Sequence, residues 1–394
     1  MTTLALSMLC ENPLRRTGLS TLFEEFVGHA LRQFPEVRWL IFAGPNQSFA
    51  HETHPSVTMV RAYPANDRRR ARLFADHFRV GPHAKKLGAA ALLTVGFVPR
   101  RAPLPVVMHL FSLHFLGGGG GLRGIYRRRA IHQGLRRAAL VIVNSRWSAD
   151  QLYQNGHYTG PRDRLLISPE GLQHDRFFPP TSRAASANDA TGANAKTDVD
   201  AVDAEARAAL GLPERYLLWS SNFYPYKRAG LALAAYAAIA PELRREFPLV
   251  LVGGDWEGGL EEARREAERL GLGESAKFLG WIEDRWLPAC YRGATAHLLS
   301  TSEETFGRSV LEAIGCGCAC VLQDLPVLRE VAGAAAKYVD FSDANAAARA
   351  IEEVCRDEAQ RARMREAGLA WAQHFSFERL ARERVEAILA RAVR

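Results

Sequence analysis

Ala296-His-Leu-Leu-Ser300-Thr-Ser-Glu-Glu304-Thr-Phe-Gly307-Arg-Ser-Val-Leu-Glu312-Ala-Ile-Gly-Cys-Gly-Cys318-Ala-Cys-Val-Leu322 reads as a strand, a polar loop, a short helix and a second strand. The apolar runs 296–299 and 319–322 have strand length, and a helix opening near Arg308 joins them. Such a βαβ unit lays its loop across the carboxyl edge of a parallel sheet, where ligands of these sheets bind. Amides of Phe306, Gly307, Arg308 and Ser309 at the helix start suit a diphosphate, because first-turn N–H groups lack helical partners and the helix dipole favours negative charge. Carboxylates beside that anion would repel it unless they accept hydrogen bonds from hydroxyl groups. A nucleotide sugar carries both the anion and the hydroxyls. Glu304 is therefore expected on the donor sugar, and Glu312, roughly two turns along at about 1.5 Å per residue, on the ribose diol.

The same rhythm runs outward in both directions. Apolar, β-branched-rich runs at 4–9, 37–42, 57–60, 91–95, 106–110, 140–143 and 165–167 alternate with helical patterns, and a second series lies at 216–219, 249–252, 277–279, 296–299, 319–322 and 337–339. This predicts an α/β protein with two Rossmann-like doubly wound parallel sheets facing across a cleft. At 394 residues the chain is too long for one ordinary core and sufficient for two. The expected division is an N-terminal acceptor domain over 1–175, a linker with an insertion over 176–209, a C-terminal nucleotide-sugar domain over 210–375, and a terminal helix over 376–394 that packs back on the N-terminal domain. Within the linker, 181–204 holds almost no large apolar residue and reads as a mobile insertion.

Composition narrows the class. With 47% hydrophobic and 24% charged residues the chain is neither disordered nor fibrous, and no apolar run reaches the roughly 18 residues of a bilayer span. Six cysteines, three of them alternating at 316, 318 and 320, fit buried thiols better than disulfides or a metal site. Residues 1–180 hold 24 Lys plus Arg against 11 Asp plus Glu, so the net charge of +8 comes from the N-terminal half. Arg68-Arg-Arg-Ala-Arg72, Lys85-Lys86 and Arg127-Arg-Arg129 would attract an anionic membrane or lipid-linked phosphates, the alternative being solvated helix faces.

Glu304-x7-Glu312, Phe306-Gly307, Leu311-Glu312-Ala313 and Asp324-Leu-Pro-Val-Leu-Arg-Glu330-Val together resemble the retaining GT-B glycosyltransferases of the large family that includes bacterial mannosyltransferases. Phe278-Leu-Gly-Trp-Ile282-Glu-Asp284 with Leu287-Pro-Ala-Cys-Tyr291 is similar to that family's base-binding strand and helix, and Leu251-Val-Gly-Gly254 to its preceding turn. The resemblance is strong over about 210–340 and continuous but weaker over 1–180. It implies metal-independent transfer of a hexose, with mannose favoured, from GDP-mannose or a UDP-hexose to a glycan or lipid-linked acceptor. It also implies retention of anomeric configuration, front-face departure, and domain closure that dehydrates the site. No cofactor and no nucleic acid is expected; the expected location is cytoplasmic, at the inner face of the membrane.

The remaining candidates follow from strand ends. Ser220-Ser-Asn-Phe-Tyr-Pro-Tyr-Lys227-Arg228 turns from a strand into a helix and places Lys227 on the diphosphate, where its charge stabilises the leaving group. The family often carries an Arg six residues before this Lys; Ser221 stands there, which leaves Arg228 as a candidate for the missing charge. His109, ending Val106-Val-Met-His109-Leu, resembles a His that contacts the donor sugar, the alternative being a satisfied core histidine. Gly18, in Arg16-Thr-Gly18-Leu-Ser20, can bring backbone amides to a phosphate. Two patterns are read as decoys: Gly119-Gly-Gly121-Leu-Arg-Gly124 as a flexible loop, because Asn144 stands where a ribose-binding acid would, and Asp198-Val-Asp200 as part of the insertion. The rivals from other classes are a nicotinamide-dependent oxidoreductase and a non-catalytic sugar-nucleotide sensor.

Overall fold

The computed structural model describes residues 1–11, 18–113, 116, 121–179 and 199–393. It divides into two compact units, Met1–Gly171 with Phe375–Arg394, and Leu172–His374. The first unit holds seven parallel strands: β1 (Thr2–Ser7), β2 (Val37–Phe42), β3 (Val57–Val60), β4 (Ala91–Val95), β5 (Val106–Leu110), β6 (Leu140–Val143) and β7 (Leu165–Ile167). They lie in the order β3-β2-β1-β4-β5-β6-β7. The second unit holds β8 (Leu217–Ser220), β9 (Leu249–Val252), β10 (Ala276–Gly280), β11 (Ala296–Leu299), β12 (Cys320–Gln323) and β13 (Ala336–Val339) in the order β10-β9-β8-β11-β12-β13. Both are Rossmann-like doubly wound sheets. Each reverses its strand order once, beside β1 in the first and beside β8 in the second.

The residues account for the layers. β5, β6, β8, β9, β11 and β12 are buried along their whole length, as parallel strands covered on both faces must be. Trp219, Leu251, Leu298 and Val321 from the second sheet pack on Leu233, Tyr236 and Ile351 from the covering helices. In the first unit Leu4, Leu6 and Ile41 meet Phe23, Phe26 and Val27 of helix Gly18–Gln33, together with Phe377, Leu380, Val385 and Ile388 of helix Phe377–Ala392. Five of the six cysteines are buried, and none is bonded to another.

Four features differ from the sequence reading. Val199–Leu210, expected within the linker, is a helix of the second unit. Its Asp203 Oδ2 accepts from Arg292 Nε at 2.8 Å, and its Ala206 is buried. A scan for large apolar residues overlooks an alanine-rich helix tied to its neighbour by a part-buried ion pair. Asp200 sits in that helix, whereas Asp198 and the rest of 180–198 lie outside the described residues. Gly121–Arg137 is helical, so Gly121 and Gly124 belong to a helix start; Gly119 lies outside the described residues. Arg72 leaves the basic cluster: it is buried and donates to Asp76 Oδ2 at 2.9 Å, while Arg68, Arg69 and Arg70 stay exposed.

His297 on β11 is fully buried. Burial pulls its pKa from an ordinary 6.5 down to about 3. The folded state thus excludes a proton that the unfolded chain binds, so stability is whole above pH 6.5 and is lost as pH falls toward 3. Between neutral pH and about pH 5 this single group costs about 2 kcal/mol. Urea denaturation of a His297→Leu variant at the two pH values should show an acid loss smaller by about that amount; equal losses in both proteins would refute this account.

Candidate functional site

β8 and β11 are hydrogen-bonded neighbours, but β8 leads to β9 on one side and β11 to β12 on the other. The connections therefore diverge above the carboxyl ends of β8 and β11, the position at which sheets of this kind bind their ligands. Hydroxyl groups bind the two departing loops to each other. Ser300 Oγ donates to the carbonyl of Arg228 at 2.8 Å, Thr301 Oγ1 to that of Tyr226 at 3.2 Å, and Ser302 donates to the same Tyr226 carbonyl from its amide at 2.8 Å. Across this junction Lys227 Nζ donates to Glu304 Oε1. The side chains are 12% and 11% exposed, so the pair sits in a medium where charge interactions are stronger than in water.

The polypeptide reaches this geometry through two unusual backbone positions. Arg228 adopts the left-handed conformation (φ 48°), ending the turn Pro225–Lys227 and opening helix Ala229–Ala237; its side chain is exposed. Gly307 (φ 96°) caps helix Arg308–Gly315, and no side chain caps that end. A Cβ on Gly307 would lie 2.8 Å from Leu328 Cδ2, while Phe306 before it is buried at 3% exposure. The buried ring anchors the loop and the glycine turns it into the helix.

Glu312 lies on the same helix, buried at 8% exposure. It accepts from Arg308 Nε at 3.0 Å and from the Tyr291 hydroxyl at 3.4 Å. Tyr291 in turn meets Ser220 Oγ at 3.0 Å, which ties Glu312 to the end of β8. Burial pushes the Glu312 carboxyl above the usual range, against the lowering influence of Arg308 and Arg176. Arg176 also donates to the carbonyl of Asp284 in the turn that follows β10 and carries Ile282, itself 9% exposed. Beside Lys227 the rings of Tyr226 and Tyr224 stack at 5.3 Å, and Tyr224 meets the half-exposed Trp256 at 4.7 Å.

In the first unit His109 is the last residue but one of β5, 4% exposed, with its ring stacked on Phe111 at 3.6 Å. Its Nδ1 faces Arg384 at 3.5 Å and its Nε2 has no partner among the described residues. Burial, assisted by Arg384, holds its pKa well below the usual value, so the ring is neutral. Gly18 opens helix Gly18–Gln33 after β1; residues 12–17 are not described.

Residues 203–371 match the family model "Glycosyl transferases group 1". This segment is a group 1 glycosyltransferase domain. Over 263 residues the chain is 26% identical to O-antigen chain mannosyltransferase B of Escherichia coli, covering 66% of this chain and 63% of that relative. It spans about half the length of several other curated relatives. Sucrose-phosphate synthase from Thermosynechococcus elongatus superposes with a TM-score of 0.77 at 20% identity over 98% of both chains. Anabaena HepE, solved with UDP-glucose, gives 0.73 at 19% identity over 99% of this chain and 100% of its own. The fold is GT-B, with two Rossmann-like domains in one chain.

The group 1 domain thus gathers Lys227, Arg228, Glu304, Phe306, Gly307, Arg308 and Glu312 around one sheet edge, with Ile282 in the neighbouring turn; His109 and Gly18 belong to the other unit. The family match favours this class over a dehydrogenase. Sequence reading passed over Ser220, Tyr224, Tyr226 and Arg176, which carry no motif of their own, and took Tyr291 only as part of the base-binding helix. Among the described residues no three His, Cys, Asp or Glu are grouped to hold a metal ion. Gly307→Ala should cost about 1–2 kcal/mol, since a side chain strains the left-handed backbone and its Cβ meets Leu328. Chemical denaturation measures it, and an unchanged midpoint would disprove the constraint.

Proposed function

We propose that the chain is a retaining, metal-independent glycosyltransferase that moves a hexose, mannose by preference, from a nucleotide diphosphate sugar to a lipid-linked or cell-envelope polysaccharide acceptor. The observation that carries this reading is the contact between Lys227 and Glu304 beside the Gly307 helix start. An ammonium has three N–H donors, so Lys227 can hold Glu304 with one and phosphate oxygens with the others. Its charge also makes a carboxylate tolerable next to a diphosphate. The second oxygen of Glu304 then accepts hydroxyls of the sugar, Glu312 accepts the ribose diol, and the helix amides meet the phosphates. Arg308 positions Glu312 through their 3.0 Å ion pair. Arg228 adds positive charge beside Lys227 and Ile282 packs on the base; in the first unit by itself, Gly18 offers backbone amides to a phosphate and His109 a ring N–H to a sugar hydroxyl.

In the reaction the bond from the anomeric carbon to the diphosphate breaks, and the acceptor oxygen bonds to the same face of that carbon. The acceptor's proton passes to the departing phosphate oxygen. Negative charge grows on the diphosphate as the bond breaks, so a fixed ammonium and fixed amides stabilise the transition state more than the ground state. The relative named as a mannosyltransferase supports mannose, and the HepE complex supports a UDP-hexose as second reading.

Lys227→Ala and Glu304→Ala should each lower kcat by about a hundredfold or more without unfolding the chain, whereas Glu312→Ala should chiefly weaken donor affinity. Normal turnover in both of the first two would remove the site. In a thermal-shift screen the true donor at about 100 times its Kd should add about 2.7 kcal/mol of stability; no response to GDP-mannose or any UDP-hexose would end the proposal.

The acceptor side rests on the basic first unit. No helix among the described residues is long and apolar enough to cross a membrane. Phe74 and Phe78 are exposed at 54% and 39% on helix Arg69–Phe78, with Arg79, Lys86 and Arg101 around them. An apolar pair rimmed by cations suits the headgroup region of an anionic membrane at the inner face of the cytoplasmic membrane. Phe74→Ser with Phe78→Ser should reduce sedimentation with phosphatidylglycerol vesicles and leave activity on a soluble acceptor intact; undiminished sedimentation would contradict this face.

A further inference from the structure

Helix Phe377–Ala392 carries apolar side chains into the core of the first unit, yet it also brings in an arginine. Arg384 is 1% exposed, and its guanidinium lies 5.8 Å from the centre of the Phe26 ring. A charge in that position is expensive unless its hydrogen bonds are made. Among the described residues no carboxylate makes them: Nε donates to Ser168 Oγ at 2.9 Å, one terminal nitrogen to the Ser168 carbonyl at 3.1 Å, and the other faces His109 Nδ1 at 3.5 Å. A leucine would fill this place at lower cost, so the guanidinium's contacts must explain it.

Its contact with His109 has a definite chemical consequence. Arginine nitrogens only donate, so Nδ1 of His109 must accept and can carry no proton. The ring's proton is then confined to Nε2, the one nitrogen that has no partner among the described residues. Phe111 stacks on one face of the ring and Phe23 lies edge-on at 6.3 Å, which holds the ring plane. Neither is titratable; the charged groups around Arg384 are Glu170 and Glu383. Though burial lowers the guanidinium to about 9, it keeps its charge at neutral pH.

We propose that Arg384 is a positioning residue: it locks His109 as the neutral Nε2–H tautomer, so that this buried imidazole presents one fixed hydrogen-bond donor to a sugar hydroxyl. The last clause rests on the glycosyltransferase reading above, whereas the tautomer lock does not. A histidine in this place without Arg384 exchanges between its two neutral tautomers, because burial still keeps a second proton off the ring, and that exchange misplaces the donor. The C-terminal helix therefore supplies part of the first unit's ligand-facing chemistry, through a residue that touches no substrate.

Nitrogen-15 NMR of the His109 ring in the full chain tests the lock directly. Between about pH 5 and 8 the wild-type ring should show only the Nε2–H form, and in Arg384→Met it should mix the two neutral tautomers. With donor and acceptor present, Arg384→Met should lower kcat by about tenfold or more, with donor KM changed less than about threefold, and Arg384→Lys should recover part of kcat. Should Arg384→Met fail to fold, Ser168→Ala loosens the same guanidinium while keeping its charge, and tautomer mixing is again expected. An unchanged Nε2–H spectrum in Arg384→Met, or in Ser168→Ala as its substitute, overturns the lock. Full turnover in His109→Ala would instead overturn the sugar contact and leave the lock standing.

Discussion

Two sheet strands that lie side by side and send their chains in opposite directions create the constraint on which the second unit depends. The loops leaving β8 and β11 must come close at their origin and separate afterwards, and the hydroxyls of Ser300, Thr301 and Ser302 hold them at that origin. Lys227 and Glu304 are brought together as a result. Neither charge would be stable alone at nearly nine-tenths burial, and together they make a site with both a cation and an acceptor. The neighbouring loop is fitted as tightly: a Cβ on Gly253 would lie 1.7 Å from the carbonyl oxygen of Ser221, and one on Gly259 2.0 Å from that of Phe223. Only glycine allows the β9 loop to pass so near the β8 loop.

Around this pair the polar groups are arranged in relays. Ser220 at the end of β8 meets Tyr291, Tyr291 meets Glu312, and Arg308 meets Glu312 from one turn earlier in the same helix. A buried carboxylate held by a phenol and a guanidinium keeps its orientation. The first unit uses the same principle with a different sign. There an arginine is buried to control a histidine, and the serine that anchors it, Ser168, is itself fully buried.

Charge in the first unit shows how burial redistributes meaning among identical residues. Arg72 is spent on Asp76, which also accepts from Ser7 Oγ at 3.0 Å, so it contributes structure. Arg79 and Lys86, a few residues later, surround exposed phenylalanines and contribute a surface. Arg384, in the helix farthest along the chain, contributes neither of these and instead acts on β5.

All thirteen strands, the two parallel sheets and the loop around Gly307 were legible in the amino-acid order, because apolar run length, helical spacing and glycine placement are local properties. The gathering of Glu304, Glu312 and Lys227 at one sheet edge was legible too, because each follows closely on the end of a strand. The helix Val199–Leu210 was not, since Asp203 finds its partner in Arg292, 89 residues later. Likewise the tie between Arg384 and His109 spans 275 residues and leaves no trace in spacing. Sequence by itself determined where strands and turns form and which chemistry their ends carry; tertiary structure alone decided which charges are buried and with whom, because pairing in a folded core depends on distance in space and not along the chain.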